Sequence, residues 1–532
     1  MDRSIRRLGA FIMLLFCALF VQLNYIQVFR ASDLNTKPGN NRPIDQSFSK
    51  PRGTIATADG VLLARSVPSD DRFQYQREYP EGERYAALTG YFNYSRGATG
   101  LERSYNEELS GKTAKQQIKS VGDLFVDKDR TGNLKLSVRS DIQAVAKSAL
   151  GDFQGSVVAL DPRSGEVLAL YSNPSFDPNA LATHDVEASE QAFALYAAAD
   201  GNPMLPKAYR EIYPPGSTFK VVTGTTGVEV GGVTPTEPVY PSVSSITVQG
   251  TTRPLRNFGG EVCGGTLFTI LAKSCNTSFA QMGLDLGGDK MVNGAQGFGF
   301  NSVPPFDLPA VASHFKTDFT RNEPALAQSS IGQNETAATP LQMALVAAGV
   351  ANDGVIMEPH VVSEIRDGEG ELVKRYDPTE WKKASSPQTA QIMREGMVEV
   401  VQPVGHPVSG KLMLGHPSLA RRVETRNHHA EAAADRGILR IEGGLVVGVE
   451  GLAAVEDACD LLMRQVVDLD GIRRFRDPWL LQPFADHETR PAPILAAFVA
   501  IDRVDLPEEE VRCTARDLGK VEHFADTEEH LI

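Results

Sequence analysis

The chain has 532 residues, of which 42% are hydrophobic and 23% charged, so it can form more than one domain with a sizeable core. Its net charge of -14 argues against a nucleic-acid partner, which would need a basic face. The chain has five cysteines: Cys17, Cys263, Cys275, Cys459 and Cys513. Because they are few, widely spaced and odd in number, they predict neither a disulfide framework nor a zinc site.

The N-terminus carries a basic and then an apolar segment. Arg3, Arg6 and Arg7 precede an apolar stretch that extends over residues 8–29. A helix needs about 20 such residues to cross the hydrocarbon core of a membrane. Basic residues on its N-terminal side favour a cytoplasmic N-terminus, so everything after Arg30 is predicted to lie outside the cytoplasm.

A cleaved secretory signal is the alternative to an anchor. No small-x-small cleavage site follows the apolar run, because Gln22, Asn24 and Gln27 lie there instead. The sequence therefore favours an uncleaved single-pass anchor. The predicted divisions of this end are a basic tail (1–7), the anchor (8–29) and a polar, turn-rich linker (30–50).

A first folded region is predicted over residues 51–133. Apolar segments at Thr54–Ala56 and Val61–Ala64 flank Asp59-Gly60, a dipeptide typical of a β-hairpin turn. Residues 79–111 are rich in glycine, tyrosine and asparagine and show no regular amphipathic pattern, so no structure is assigned to them.

A second region opens near Leu134. A helical pattern covers Ser137–Leu150, with Ser140 as the expected N-terminal cap. An antiparallel hairpin follows it, with strands at Ser156–Leu160 and Glu166–Tyr171. Helices mixed with antiparallel hairpins predict an α+β domain. Further helical patterns cover Ser217–Val228, Leu267–Leu284 and Thr339–Asn352, the last with Thr339 as cap and Pro340 at the first helical position.

Ser217 and Lys220 are the first candidates for chemistry. The prolines of Tyr213-Pro214-Pro215-Gly216 exclude a helix before Ser217, which therefore falls near a helix N-terminus with Lys220 one turn further on the same face. A serine hydroxyl becomes a good nucleophile when a neighbouring base takes its proton, and a partly desolvated lysine can be that base. Backbone N–H groups at the helix start can support an oxyanion.

The Ser-x-x-Lys spacing is weak evidence by itself. It also occurs at Ser47 with Lys50, in the polar linker, and at Ser313 with Lys316, where no helix is evident. A capping serine or a solvated pair is the ordinary interpretation of such a match. Only Ser217 combines the Pro-Pro-Gly approach with a following helix.

A second candidate is Ser274-Cys275-Asn276. Its ordinary interpretation is a polar turn or a helix cap, and Ser-x-Asn recurs at Ser104-Tyr105-Asn106. Beside a nucleophile, however, a serine could relay a proton to a leaving amine and an asparagine could hold a substrate amide.

Three blocks, YPPGSTFK, AKSCNTSF and SSIGQNETAATPLQMA, resemble in order and spacing those of class B penicillin-binding proteins. The hairpin at residues 156–179 resembles the start of their transpeptidase domain. The N-terminal pedestal domain of the same family is resembled by two further blocks, PRGTIATADGVLLARS and TGLERSYNEELSG. The resemblance is closest to the actinobacterial A type and extends to about Val401. It implies a penicillin-binding/β-lactamase-like serine acyl-transferase domain (134–404) behind a mixed, dimerisation-like pedestal (51–133).

The resemblance also implies a mechanism. Ser217 would be acylated by the penultimate D-alanine of a stem pentapeptide, and an amine of a neighbouring stem would then form the cross-link. Lys220 would act as base, Ser274 would shuttle the proton, and Asn276 would bind the substrate amide. β-Lactams would acylate Ser217, no cofactor or metal is implied, and the expected partners are a membrane, a glycosyltransferase and division proteins.

The likeness stops where the composition changes. The family's third motif, Lys-Thr-Gly or a variant, does not occur after Gln402. Residues 405–532 hold seven of the ten histidines and 15 basic against 23 acidic residues, a charge of -8. A frameshift near Gln402 is favoured over a divergent segment, and the chain as written is predicted to be weakly active or inactive. A β-lactam sensor or hydrolase and a non-catalytic cell-wall scaffold are the alternative functions.

Overall fold

The computed structural model describes residues 2–26, 45, 47–113, 131–400 and three short stretches, 438–441, 444–447 and 498–500. Its first helix, α1 (Asp2–Tyr25), contains the segment Arg7–Tyr25, which is 19 residues long with a mean hydropathy of 2.0. That is long and apolar enough to cross a membrane. The predicted apolar helix is therefore present, whereas most of the predicted linker lies outside the described residues.

The first predicted hairpin is confirmed. Strands β1 (Ile55–Ala56) and β2 (Leu62–Pro68) pair antiparallel, and Gly60 in the turn has a φ of 89°, which glycine tolerates. The stretch at 79–111, to which the sequence assigned no structure, contains only short elements. In chain order the elements after β2 are β3 (Tyr75–Glu78), α2 (Ala86–Thr89), β4 (Phe92–Asn93), β5 (Gly97–Ala98), α3 (Gly100–Ser104), α4 (Asn106–Leu109) and β6 (Asn133–Leu136).

A buried ion triad holds this region together. Glu102 is completely buried and lies 2.9 Å from Arg52 and 2.6 Å from Arg77. Burial by itself raises the pKa of this carboxyl group, but the two guanidinium groups outweigh burial, and the pKa of Glu102 lies below its ordinary value. Glu102 therefore stays charged, and its removal would leave two buried cations without their partner.

Helix α5 (Ser140–Leu150) starts the second region, and its predicted cap is wrong. Ser140 is the first helical residue, and both its N–H and its hydroxyl contact the carboxylate of Asp59 in the hairpin turn. The earlier turn thus supplies the cap that a serine side chain would otherwise provide. Beyond the helix, β7 (Gly155–Leu160) and β8 (Val167–Asn173) pair antiparallel, which confirms the second predicted hairpin.

The helices that follow this hairpin in the described part of the chain agree only partly with the predicted ones. The prediction of one helix over 267–284 is wrong, because two helices with a break between them occupy that stretch. The Thr339 cap is confirmed, since its hydroxyl accepts the N–H of Gln342 at 3.1 Å. The helices after α5 are α6 (Pro178–Ala182), α7 (Val186–Ala198), α8 (Lys207–Arg210), α9 (Lys220–Val230), α10 (Leu267–Ala272), α11 (Asn276–Leu286), α12 (Gly288–Gly297), α13 (Glu323–Ser329), α14 (Pro340–Ala351) and α15 (Pro387–Val398).

One six-stranded sheet joins the two regions, in the order β15 (Leu372–Arg375), β14 (Val362–Arg366), β6, β1, β2 and β3. The α+β prediction is confirmed, but the sheets are mixed, because β1 pairs parallel with β6 and β7 pairs parallel with β19 (Phe498–Ala500). The strands after β8 are β9 (Tyr240–Val243), β10 (Ser245–Ile246), β11 (Leu255–Arg256), β12 (Cys263–Gly265), β13 (Val355–Met357), β14 (Val362–Arg366), β15 (Leu372–Arg375), β16 (Glu380–Lys383), β17 (Ile438–Ile441), β18 (Gly444–Val447) and β19 (Phe498–Ala500).

We expect Glu102→Ala to lower the free energy of unfolding by about 3–5 kcal/mol, because it uncovers two buried arginines. The matched control is Glu78→Ala, which breaks the exposed pair with Arg65 and should cost about 0–1 kcal/mol. Urea unfolding followed by far-ultraviolet circular dichroism measures both variants. Equal losses in the two variants would contradict a special role for the buried triad.

Candidate active site

Ser217 lies at a tight turn that leads into helix α9. Gly216 has a φ of 55°, and Gly216–Phe219 form one 3₁₀ turn before the α-helix begins at Lys220. Ser217 is partly exposed, whereas its neighbours Gly216 and Thr218 are buried. The predicted position of the serine at a helix start is confirmed, with the first turn tighter than an α-helix.

Residues 329–344, the block SSIGQNETAATPLQMA, form backbone hydrogen bonds with the turn that carries Ser217. The Gly216 N–H donates to the Gly332 carbonyl at 2.9 Å, and Tyr213 exchanges two backbone hydrogen bonds with Ala338. Gly332 has a φ of 71°, and a Cβ there would lie 2.1 Å from the Gly216 carbonyl oxygen. Only glycine fits this close approach. The family resemblance pointed to this block, but the sequence did not predict that it supports the turn before α9.

Lys220 brings the predicted site residues together. Its side chain is completely buried. The amino nitrogen Nζ lies 3.1 Å from Ser217 Oγ, 3.0 Å from Ser274 Oγ and 2.7 Å from Asn276 Oδ1, and it also donates to the Ser274 carbonyl at 2.7 Å. All four predicted site residues therefore meet around one nitrogen.

The Ser274-Cys275-Asn276 segment occupies the break between α10 and α11. Ser274 has a φ of 55°, so the chain leaves the helical conformation at this residue and turns toward Lys220. Asn276 is the first residue of α11, and its amide nitrogen Nδ2 donates to the Arg256 carbonyl at 3.1 Å. The segment is thus a connection whose side chains converge on Lys220, which a continuous helix would not allow.

A disulfide between Cys263 and Cys275 contradicts the expectation that the cysteines form no such bond. The two Cα atoms lie 5.6 Å apart, and the bond ties β12 to the middle residue of the Ser-x-Asn segment. The predicted topology could have suggested this bond, because it puts these residues outside the cytoplasm, where disulfides persist. Cys17 is unbonded, and Cys459 and Cys513 lie outside the described residues.

Two of the competing motif matches, Ser313 with Lys316 and Ser104-Tyr105-Asn106, have structural roles. Ser313 is buried and accepts the Thr339 N–H, while Lys316 lies 2.8 Å from the Glu335 carboxylate. In the other Ser-x-Asn match, Asn106 accepts a hydrogen bond from Arg52 in the N-terminal region. Neither match contributes to the cluster around Lys220.

We expect loss of the disulfide in Cys263→Ser/Cys275→Ser to lower the free energy of unfolding by about 2–4 kcal/mol, because the bond restricts the unfolded chain. Thermal unfolding measures this change. Cys17→Ser is the control, since that cysteine lies in the apolar helix and is unbonded. Unfolding midpoints that are equal in the double variant and the control would contradict a stabilising bond.

Comparison with known proteins identifies two matching families. The penicillin binding protein A dimerisation domain matches residues 52–134, and the penicillin binding protein transpeptidase domain matches residues 155–411. The chain is 38% identical over 412 residues to the peptidoglycan D,D-transpeptidase PbpA of Mycolicibacterium smegmatis, covering 76% of this chain and 83% of that protein. It is 36% identical over 408 residues to PbpA of Mycobacterium tuberculosis, covering 75% and 82%.

Solved structures give the same result. Penicillin-binding protein A of M. tuberculosis, as its ceftriaxone acyl-enzyme complex, matches with a TM-score of 0.64 and 35% identity, covering 67% of this chain and 81% of that one. Its penicillin G acyl-enzyme complex matches with a TM-score of 0.63 and 36% identity, covering 66% and 83%. The chain therefore belongs to the penicillin-binding proteins, the family of serine-type peptidoglycan D,D-transpeptidases.

Proposed function

We propose that Ser217 is the nucleophile of a D,D-transpeptidase that cross-links peptidoglycan stem peptides. Its hydroxyl attacks the carbonyl of the penultimate D-alanine and the terminal D-alanine leaves. The amine of a second stem then attacks the acyl-enzyme, which forms the cross-link and frees Ser217. The contacts of Lys220 with Ser217, Ser274 and Asn276 carry this proposal, and the acyl-enzyme complexes of the M. tuberculosis protein support it.

The acceptors around Lys220 support its role as the base. The Ser274 carbonyl and Asn276 Oδ1 can only accept hydrogen bonds, and both lie 2.7 Å from Nζ. A neutral amine has two N–H groups and one lone pair. If those two acceptors take the N–H groups, the lone pair faces the hydroxyls of Ser217, at 3.1 Å, and Ser274, at 3.0 Å. Lys220 is then oriented to receive the serine proton.

Ser274 and Asn276 receive distinct roles. Ser274 Oγ lies 3.0 Å from Lys220 Nζ, so it can pass the proton from the lysine toward the leaving amine. Asn276 Nδ2 has two N–H groups, and the Arg256 carbonyl takes one of them. The other can bind an amide carbonyl of the stem peptide or of a β-lactam side chain.

We further propose that the chain is a single-pass protein of the cytoplasmic membrane with its catalytic domain outside. Arg3, Arg6 and Arg7 precede the apolar helix, which favours this orientation. The Cys263–Cys275 disulfide agrees with an oxidising compartment. A glycosyltransferase and division proteins of the same membrane are the proposed partners, and the proposed boundaries are a pedestal at 51–133 and a transpeptidase domain at 134–404.

The part after Gln402 is proposed to impair this activity. The transpeptidase family match ends at residue 411, close to the change in composition at 405, and no Lys-Thr-Gly motif follows. In the family, the lysine of that motif supplies a cation for the substrate carboxylate, and the strand that carries the motif lies beside the oxyanion. We propose that residues 405–532 are translated out of frame, so that one wall of the site is missing.

Labelling with a fluorescent penicillin tests the nucleophile and its base. We expect Ser217→Ala to abolish covalent labelling and Lys220→Met to slow it by about 10²–10⁴-fold, the usual contribution of a general base. Lys316→Met is the matched control from the other Ser-x-x-Lys pair and should label like the parent chain. Labelling that persists in Ser217→Ala would refute the assignment. Absence of labelling both in the parent chain and in a chimera with a complete transpeptidase ending, described next, would favour a non-catalytic scaffold.

A chimera tests the proposed impairment. Residues from 403 onward are replaced by the corresponding segment of the M. smegmatis relative, which restores a complete transpeptidase ending. We expect the acylation rate to rise by about 10²–10³, the contribution of one oxyanion donor. The other two reading frames of the gene after codon 402 should encode a Lys-Thr-Gly strand. Equal rates in the parent and the chimera, or no such frame, would contradict the proposal.

A further inference from the structure

We infer that Asn257 is a positioning residue that fixes the amide of Asn276 in the active site. The inference rests on the proposed function, since it concerns how the Ser-x-Asn segment is held toward Lys220. Asn257 directly follows β11 and is only 6% exposed. None of the sequence patterns or motif matches singled it out.

The side-chain amide of Asn257 makes four hydrogen bonds that join three segments. Its nitrogen Nδ2 donates to the Val243 carbonyl at 2.8 Å and to the Glu261 carbonyl at 3.0 Å. Its oxygen Oδ1 accepts the Thr277 N–H at 3.0 Å and the Thr277 hydroxyl at 3.2 Å. The amide thereby connects β9, the loop before β12 and the first turn of α11.

This contact caps a helix that has no cap of its own. The N-terminal N–H groups of a helix need acceptors from outside the helix. At the start of α11 the cap position is Cys275, whose sulfur is in the disulfide and makes no capping hydrogen bond. Asn257 supplies the missing acceptor to Thr277, the residue that follows Asn276. The helix start is therefore held by a side chain from another segment.

The residue before Asn257 completes the link to the site. The Arg256 carbonyl accepts the Nδ2 N–H of Asn276 at 3.1 Å, so the amide of Asn276 is oriented with Oδ1 toward Lys220. The three residues after Asn257, Phe258, Gly259 and Gly260, are all exposed, so the loop has little packing of its own. The four hydrogen bonds of Asn257 thus hold the strand end that orients Asn276.

Asn257→Asp is the most direct test, because it keeps the shape and the acceptor for Thr277 but replaces the donor to two carbonyls by a carboxylate. The matched control is Asn93→Asp in the N-terminal region. Asn93 is 3% exposed and also makes four side-chain hydrogen bonds, with Leu181, Ser189, Ser95 and Arg96. Both variants should lose similar thermal stability, but only Asn257→Asp should acylate more slowly per folded molecule.

The expected loss in fluorescent-penicillin labelling is between about tenfold and 10²-fold at about pH 8, since an ångström of misplacement can cost about 10²-fold. The introduced carboxyl group, once protonated, can donate to one of the two carbonyls again. Burial raises the pKa of such a group and the two hydrogen bonds from Thr277 lower it, so the rate relative to the parent chain should recover as the pH falls from about 8 to about 4, the ordinary pKa of an aspartate. A purely structural role would not produce this recovery.

Amide hydrogen exchange of Asn276 and Thr277 gives a readout that does not need acylation. Faster exchange in Asn257→Asp than in Asn93→Asp, together with slower labelling, supports the inference. Parent-like labelling by folded Asn257→Asp, or equal losses in the two variants, overturns it. If neither the parent chain nor the chimera with the restored ending is labelled, the proposed function fails, and the exchange comparison alone decides: faster exchange supports the positioning role and unchanged exchange refutes it.

Discussion

The site depends on one buried amino group. Lys220 is completely enclosed, and burying a charge or a strong donor is tolerated only when acceptors surround it. The Ser274 carbonyl and Asn276 Oδ1 provide those acceptors, the hydroxyls of Ser217 and Ser274 complete the set of partners, and they come from two segments that are distant in sequence. The same contacts that make burial of the lysine possible therefore also assemble the proposed catalytic group. Any change that moves one of these residues leaves the amino group with an unmatched hydrogen bond.

Three kinds of connection hold the two segments in register. The close approach of Gly332 to Gly216 fixes the turn that carries the serine. The disulfide to Cys263 and the hydrogen bonds of Asn257 fix the start of α11. Each connection acts on the backbone beside a proposed site residue, so the side chains of Ser217, Ser274 and Asn276 are not themselves needed to hold the two segments together. A site built this way has its geometry set before ligand arrives, which is what preorganised catalysis requires.

The N-terminal region is joined to the catalytic domain by shared structure. Strand β6 pairs with β1 on one side and with β14 on the other, so a single sheet continues from one region into the next. Asp59 caps α5, and Tyr105 lies 2.9 Å from the hydroxyl of Tyr376. With hydrogen bonds at several places, the pedestal is a structural extension of the transpeptidase domain.

The sequence by itself predicted the apolar helix, both hairpins and the α+β class, because short-range spacing and ordered motif blocks record local structure. It also named the four residues that the structure brings together around Lys220, whose catalytic roles are the proposal made above. It did not predict the disulfide, the break within residues 267–284, the cap from Asp59 or the role of Asn257. These features depend on contacts between segments that no local pattern records. The left-handed turn at Ser274 and the capping of α11 by the Asn257 side chain form only because the folded chain brings Lys220 and Asn257 within hydrogen-bonding distance of these residues.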